Sequence, residues 1–476
     1  TLTFGLRYEY PGDSFSYLKE NNERVLAANG NNPGFRYDPQ PQADKNNFMP
    51  RIGFNWNPRF SSKGVMGFLT GGAKLVIRGG YSRTYDANYI NLNLNVASSF
   101  PFVVTTNFPV STIPAERGQI TNAFVRLQAG VANPNPVVAA PLLQTRTVVG
   151  ADFRAPSTDQ ISFEIQRELT SDTVFKAGYI NTRGRGLFQT IDGNPRTICA
   201  APPCARVDPT RGVIRLRANQ AESDYNAMQL SLDKRLSRNF SANINYTWSK
   251  FIDTASETFN PSNAEVAVAQ DSFNLAADRA LSSFDRPHRI SGSVVYELPI
   301  FREQRGFVGR MLGGFQVNSF FTHQSGAPFT VLNGSDPGLA LSGISDLVGN
   351  AIRPNLVGSP NFSGMSPREI RAQCGALVGG NRCPNFFSFT TAAQRVGNAG
   401  RHLLRGDRLF PVDVGGTENT KITEKVRFTV RADMFNVLNK RNYGIPEGRL
   451  NNANFLLDGT VPAGNRRIIL GARIVF

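Results

Sequence analysis

Side chains able to do chemistry are sparse and dispersed in this chain of 476 residues. The three histidines, His288, His323 and His402, stand singly, and no Gly-rich phosphate loop, HExxH helix or GxSxG elbow occurs. The densest titratable group is Asp285, Arg286, His288 and Arg289 around Pro287. It could serve as an acid–base site, but it sits where a strand is expected to begin, and a charged rim at a membrane interface is the stronger reading. The four cysteines form two local pairs, Cys199 with Cys204 and Cys374 with Cys383, each in a Gly/Pro/Ala-rich stretch. A small disulfide is expected in each, which requires an oxidising compartment. Neither pair has the two-residue gap of a zinc knuckle or thioredoxin motif and no histidine lies at ligand spacing, so a metal site is the weaker alternative. No catalytic residue, cofactor or metal is expected, and no enzyme.

The elements that would carry these residues are strands. From Phe240 to Ser249, Phe240, Ala242, Ile244, Tyr246 and Trp248 alternate with Ser241, Asn243, Asn245, Thr247 and Ser249. Successive side chains of a strand point to opposite faces, so one face is oily and the other polar. Val426, Phe428, Val430, Ala432 and Met434 repeat the pattern against Arg427, Thr429, Arg431 and Asp433, and Leu2, Phe4, Leu6 and Tyr8 oppose Thr3, Gly5, Arg7 and Glu9. The last residues, RRIILGARIVF, place Ile468, Leu470, Ala472, Ile474 and Phe476 on one face. Strands are expected near 2–10, 49–58, 74–85, 158–169, 173–182, 224–236, 240–251, 288–299, 313–324, 408–418, 426–437 and 466–476. Runs of about ten residues suit a tilted bilayer crossing. Tyr8, Tyr10, Trp56, Tyr81, Tyr85, Tyr246, Trp248 and Tyr296 gather near strand ends, where membrane barrels carry aromatic girdles.

Long connections follow the odd-numbered strands and short ones, such as 170–172, 237–239 and 419–425, follow the even-numbered ones. A meander with short periplasmic turns and long extracellular loops is built this way. The longest loops, Asp86 to Ser157 and Gly326 to Asp407, are expected to fold over a barrel mouth or to meet a ligand. The first, around residues 21–47, is Asn/Gly/Pro-rich; it could bind sugars, though turn formation is the favoured reading. Arg7, Glu9, Arg51, Arg289, Arg427, Arg431, Asp433 and Arg473 would line the lumen, and their simplest role there is to hydrate the inner wall.

Composition narrows the class. Mean hydropathy is −0.26, and no run approaches the roughly 18 apolar residues of a spanning helix. Transmembrane strands hide their hydrophobicity in alternation, so a polar average is compatible with membrane residence. There are 44 Gly, 29 Pro and 18% charged residues, which favours many turns and a mostly β fold. The net charge of +16 raises nucleic acid as a partner. The basic residues are scattered singly, so no nucleic-acid binding is expected; lipid headgroups, lipopolysaccharide phosphates or an acidic solute serve equally as counter-charge. The chain opens on TLTFGLRYEY, where a strand and not a signal peptide is expected.

Several segments resemble TonB-dependent outer-membrane receptors, in particular the Oar-like branch. They are LTFGLRYEY at 2–10, NNFMPRIGFNW at 46–56, LVIRGGYSRTYD at 75–86, DQISFEIQREL at 159–169, FKAGYINTRGRGL at 175–187, YNAMQLSLDKRLS at 225–237, NINYTWSKFID at 243–253, FDRPHRISGSVVYELP at 284–299, THQSGAPFTV at 322–331, GNAGRHLLRGD at 397–407 and VRFTVRADMFNVLNKRNYG at 426–444. The resemblance implies an all-β, antiparallel transmembrane barrel, here about twelve strands of one with about 22. Residues 1–476 would be one barrel domain, an N-terminally truncated fragment without signal peptide and plug. It implies residence in the bacterial outer membrane among lipid and lipopolysaccharide, with Phe476, Ile474 and Ala472 forming a signal for the barrel-assembly machinery. It also implies gated uptake of a bulky solute, driven by the TonB complex through the missing N-terminal part. A passive porin or surface adhesin is the alternative, and a secreted β-sandwich binding protein a third.

Overall fold

A computed structural model describes residues 1–13, 15–37, 41–59, 64–86, 90–103, 140–199, 201, 203–257, 268–341, 344, 352–457 and 464–476. Twelve strands run in an antiparallel meander: β1 Leu2–Glu9, β2 Asn47–Trp56, β3 Leu75–Tyr85, β4 Ser157–Thr170, β5 Thr173–Asp192, β6 Ile214–Ser237, β7 Phe240–Asp253, β8 His288–Glu297, β9 Phe315–Gln324, β10 Val412–Lys421, β11 Arg427–Phe435 and β12 Arg467–Val475. Each pairs with its sequence neighbours, and among the described residues β1 pairs only with β2 and β12 only with β11. All twelve expected strands form. β5 and β6 run well past their expected ends, and a short strand, Arg146–Val149, lies parallel to β6 along this extension.

The register sets the two faces. Leu2 faces Phe54, Phe4 faces Ile52, Phe163 faces Tyr179, Leu230 faces Tyr246, Val294 faces Ala242, and Ala432 faces Leu470. Alternation therefore merges into one apolar surface running from β1 to β12. These side chains stay in the open: Leu6 is 71% and Leu470 76% exposed. Two glycines admit aromatic neighbours on this surface. A Cβ at Gly79 would lie 2.8 Å from the Phe54 ring, and one at Gly292 2.7 Å from the Phe321 ring, so each phenyl group packs against bare backbone.

Connections sort by end. At one end lie 57–74, 171–172, 238–239, 298–314 and 422–426; at the other, 10–46, 86–156, 193–213, 254–287, 325–411 and 436–466. The 238–239 turn puts Arg238 and Asn239 at φ 47° and 67°, the left-handed pair that matches the twist of a two-residue hairpin. Two of the shorter connections hold a seven-residue helix, Gly64–Thr70 and Gly306–Leu312. In the second, Phe307 and Met311 are exposed, while the Thr420 hydroxyl, on the apolar face of β10, donates to the Arg310 carbonyl at 3.3 Å.

The buried core sits in the long loops. Phe329, Val331, Ile370, Phe387, Leu404, Leu450, Phe455 and Leu456 pack together with Cys374 and Cys383 from the 325–411 and 436–466 loops. A second cluster joins Phe15, Leu18 and Tyr37 to Leu92, Val96, Val148, Val149 and Phe153. Residues 21–28 of the Asn-rich stretch read as turns belong to a helix, Ser16–Ala28, whose buried Leu18 enters this cluster.

Candidate functional site

The polar face of the sheet and the long-loop cap are the two candidate surfaces. On the polar face, Arg7 and Glu9 form an ion pair on β1 and Arg431 pairs with Asp433 at 2.7 Å on β11. Arg473 stands opposite Thr429, and Arg427 opposite Val475. All six therefore project from the face opposite the apolar surface. They lie in two groups on strands at opposite ends of the sheet. Between them run pairs that sequence inspection did not single out: Arg78 with Glu164 at 2.5 Å and Lys176 with Asp233 at 2.6 Å. Thr3, Asn55, Arg78, Glu164 and Gln229 line a groove of about 390 Å³ on this side. Such a wall offers donors and acceptors with half-exposed, mutually paired charge, suited to water and hydrophilic solutes.

The cap is held differently. Three aspartates at the end of β7 and in the 254–287 loop meet three arginines from the 325–411 loop: Asp253 with Arg401, Asp278 with Arg353 at 2.6 Å, and Asp285 with Arg405 at 2.7 Å. Asp253, Asp278 and Asp285 are each almost fully buried. Each carboxylate accepts a further bond: Phe251 N–H donates to Asp285 at 2.8 Å, Gln270 N–H to Asp278 at 3.1 Å, and the Ser256 hydroxyl to Asp253 at 2.8 Å. Arg353 Nε also donates to the Ala399 carbonyl at 2.8 Å. Buried ion pairs survive desolvation only when each member is hydrogen-bonded in this way.

Asp285 thus belongs to a buried clamp and not to a charged rim. His288 remains at the edge, its ring hydrogen-bonded to the Tyr246 hydroxyl at 2.9 Å. Burial and the nearby Arg405 guanidinium make Arg286 a weaker base than usual. The partners are separated by up to 148 residues, and the stretches that contain them, NINYTWSKFID, NLAADR, FDRPHR, IRPN and GNAGRHLLRGD, carry no local sign of pairing.

Disulfides link Cys199 to Cys204 and Cys374 to Cys383. The second follows the helix Pro367–Ala372, which Ser366 and Glu369 close with reciprocal capping bonds. The Ser366 backbone and hydroxyl hold the Glu369 carboxyl below its ordinary range. The first disulfide flanks a loop gathered by Asn194, whose side chain donates to the Asp208, Arg211 and Gly212 carbonyls. Burial pushes the Tyr37 hydroxyl up from its ordinary value, and that oxygen accepts from Val149 N–H at 3.2 Å. Among the described residues no cluster of His, Cys, Asp and Glu could hold a metal ion. Phe476 is 97% exposed at the short-turn end, and Ile474 and Ala472 share the apolar face.

A family model described as an outer membrane beta barrel domain matches residues 1–469. The chain belongs to this family. It is an antiparallel strand wall of the bacterial outer membrane: the apolar face meets lipid, the short connections are periplasmic, and the long loops are extracellular. Its architecture is similar to that of the outer membrane transporter YddB from Escherichia coli, at 12% identity and a TM-score of 0.43, with 91% of this chain and 41% of that one covered. The siderophore receptor PiuA from Acinetobacter baumannii is similar at 9% identity and 0.40, covering 90% and 36%. A mutant of the ferric enterobactin receptor PfeA from Pseudomonas aeruginosa follows at 9% and 0.39, covering 90% and 40%. The chain spans about two-fifths of the length of these solved relatives. No curated protein sequence matches it.

Proposed function

We propose that this wall is the C-terminal part of the barrel of a TonB-dependent receptor of the Oar-like branch, which admits a bulky solute through its lumen when an N-terminal plug is displaced by the TonB complex. The observation that carries this reading is the open twelve-strand sheet: among the described residues β1 and β12 each have one partner, while unsatisfied strand edges are costly in lipid. Further strands, supplied by the rest of the protein, would close a wide barrel. The polar face would then be the lumen, with Arg7, Glu9, Arg427, Arg431, Asp433 and Arg473 hydrating its wall. The mechanism is gated passage without covalent chemistry. The disulfide-bearing cap is the surface that would meet the solute first. Phe476, Ile474 and Ala472 would be read by the barrel-assembly machinery during insertion.

Planar-bilayer conductance of the full-length protein tests the reading. A plugged receptor is closed in a resting bilayer and should bind the periplasmic domain of TonB in a pull-down. A steadily open pore that ignores TonB would replace the proposal with a passive porin.

A further inference from the structure

We propose that the outer wall carries a binding site for the phosphorylated headgroup of an outer-leaflet glycolipid, formed by Arg183 and Arg185 of β5, Lys250 of β7 and Arg279 of the 254–287 loop. The inference rests on outer-membrane placement and on strand register, and it stands whether or not the receptor reading does.

Register places these cations on the lipid side. Tyr179 faces Met228, and Met228 faces Trp248, in the upper part of the apolar surface. One step further toward the extracellular end, Asn181 faces Asn226, and Asn226 faces Lys250. The next step brings Arg183 opposite Asp224, and Arg183 also opposite Asp159 on β4. Each step of two residues rises about 7 Å along a strand. The outward face therefore changes within two steps from an aromatic girdle to amides and then to guanidinium groups, the order in which a membrane changes from acyl chains to headgroups.

The charge on this patch is under-compensated. Arg183, Arg185 and Arg279 share the single carboxylate of Asp224, at 3.4, 3.3 and 3.5 Å, and Arg185 reaches Glu222 only at 3.7 Å. Lys250 is exposed with no ion partner among the described residues. Asp159 adds nothing to the balance, because Arg83 holds it with two bonds of 2.8 Å. Together Arg183, Arg185, Asp224, Asn226, Lys250, Ile252 and Arg279 enclose a hollow of about 490 Å³. Elsewhere on the wall, Arg78 with Glu164, Lys176 with Asp233 and Arg431 with Asp433 are each matched one to one. A cluster with excess positive charge and free N–H donors at headgroup height fits a phosphate monoester, which accepts several charge-assisted bonds at once.

The full-length protein in dodecyl maltoside, titrated with bis-phosphorylated lipid A and read by native mass spectrometry, tests the site. With each basic side chain near an anionic group worth about fivefold in affinity, Lys250→Gln should weaken binding about fivefold and Arg183→Gln/Lys250→Gln about 25-fold. Lipid A stripped of its phosphates should bind the native protein no better than intact lipid A binds the double variant. Heat-modifiable gel mobility reports whether the double variant folds; Lys250→Gln removes a side chain with no ion partner among the described residues and keeps the test available if it does not. Unchanged affinity in Lys250→Gln, or equal binding of the dephosphorylated lipid, overturns the proposal. Displacement of lipid A by equimolar inorganic pyrophosphate would overturn it too, since the hollow would then be a soluble-anion site.

Discussion

Leu470 on the wall is 76% exposed, whereas Phe387 in the cap is fully buried, although both are large apolar residues in one chain. The charges divide in the same way: Arg431 and Asp433 pair on the wall with the arginine side chain 60% exposed, while Arg353 and Asp278 pair in the cap at 5% and 4%. The wall's apolar groups find their partner in lipid, and its backbone is satisfied by neighbouring strands. The cap stands in water and must build its own core, as a soluble domain does. A side chain's role here is decided by the solvent its segment meets.

The comparison breaks most strongly where the cap's buried charge is exposed to imbalance. Asp278→Ala leaves Arg353 uncompensated and should destabilise the cap by about 3–5 kcal/mol. Hydrogen exchange should show the 325–411 loop opening while β1 to β4 keep their protection; equal loosening of wall and cap would mean that they are one cooperative unit. Phe387→Ala should cost a similar or slightly smaller amount, about 3–4 kcal/mol, by leaving a cavity in the loop core. The same measurement reads it.

Leu470→Arg probes the opposite solvent. It should cost about 2–4 kcal/mol if Leu470 lies near the bilayer midplane. Folding into liposomes of decreasing thickness should recover part of the loss, whereas Phe387→Ala should be insensitive to thickness. An arginine tolerated without cost would remove Leu470 from the lipid face.

The smallest effect lies at the periplasmic turns. Lys234 and Ser237 hold the Asp172 carboxyl far below the ordinary carboxylate range, and its own carbonyl accepts from Arg235 N–H at 2.8 Å, tying two adjacent turns. A depressed carboxylate stabilises above its unfolded value, about pH 4, and the contribution disappears as pH falls through the lower folded value. Asp172→Asn should therefore lower the melting temperature slightly at pH 7, and the gap from the native protein should narrow only below about pH 4. A gap independent of pH would assign the effect to turn geometry.

The wall was legible in the sequence because a membrane imposes a two-residue period on every strand that crosses it. Phe240 to Trp248 and Ile468 to Phe476 announce their faces residue by residue. Legibility ended where the membrane does. Beyond Thr182, the run Arg183, Gly184, Arg185, Gly186 has no apolar face, and β5 continues to Asp192 with register shifts near Gly184 and Leu187. No lipid enforces alternation there, so nothing in the pattern marked the extension. The helix Ser16–Ala28 was hidden for a related reason: apart from Asn22 its polar residues are not buried, and Leu18 is its one buried apolar residue.

Local sequence by itself determined the strands, their inward and outward faces and the sorting of loops by end, since each follows from side-chain alternation and chain length between neighbours. Tertiary structure alone decided that Asp253, Asp278 and Asp285 meet Arg401, Arg353 and Arg405, and that Arg183, Lys250 and Arg279 converge on one outward patch. Those meetings join positions far apart in the chain, and their energies depend on burial and distance, which no spacing of residues along the sequence encodes.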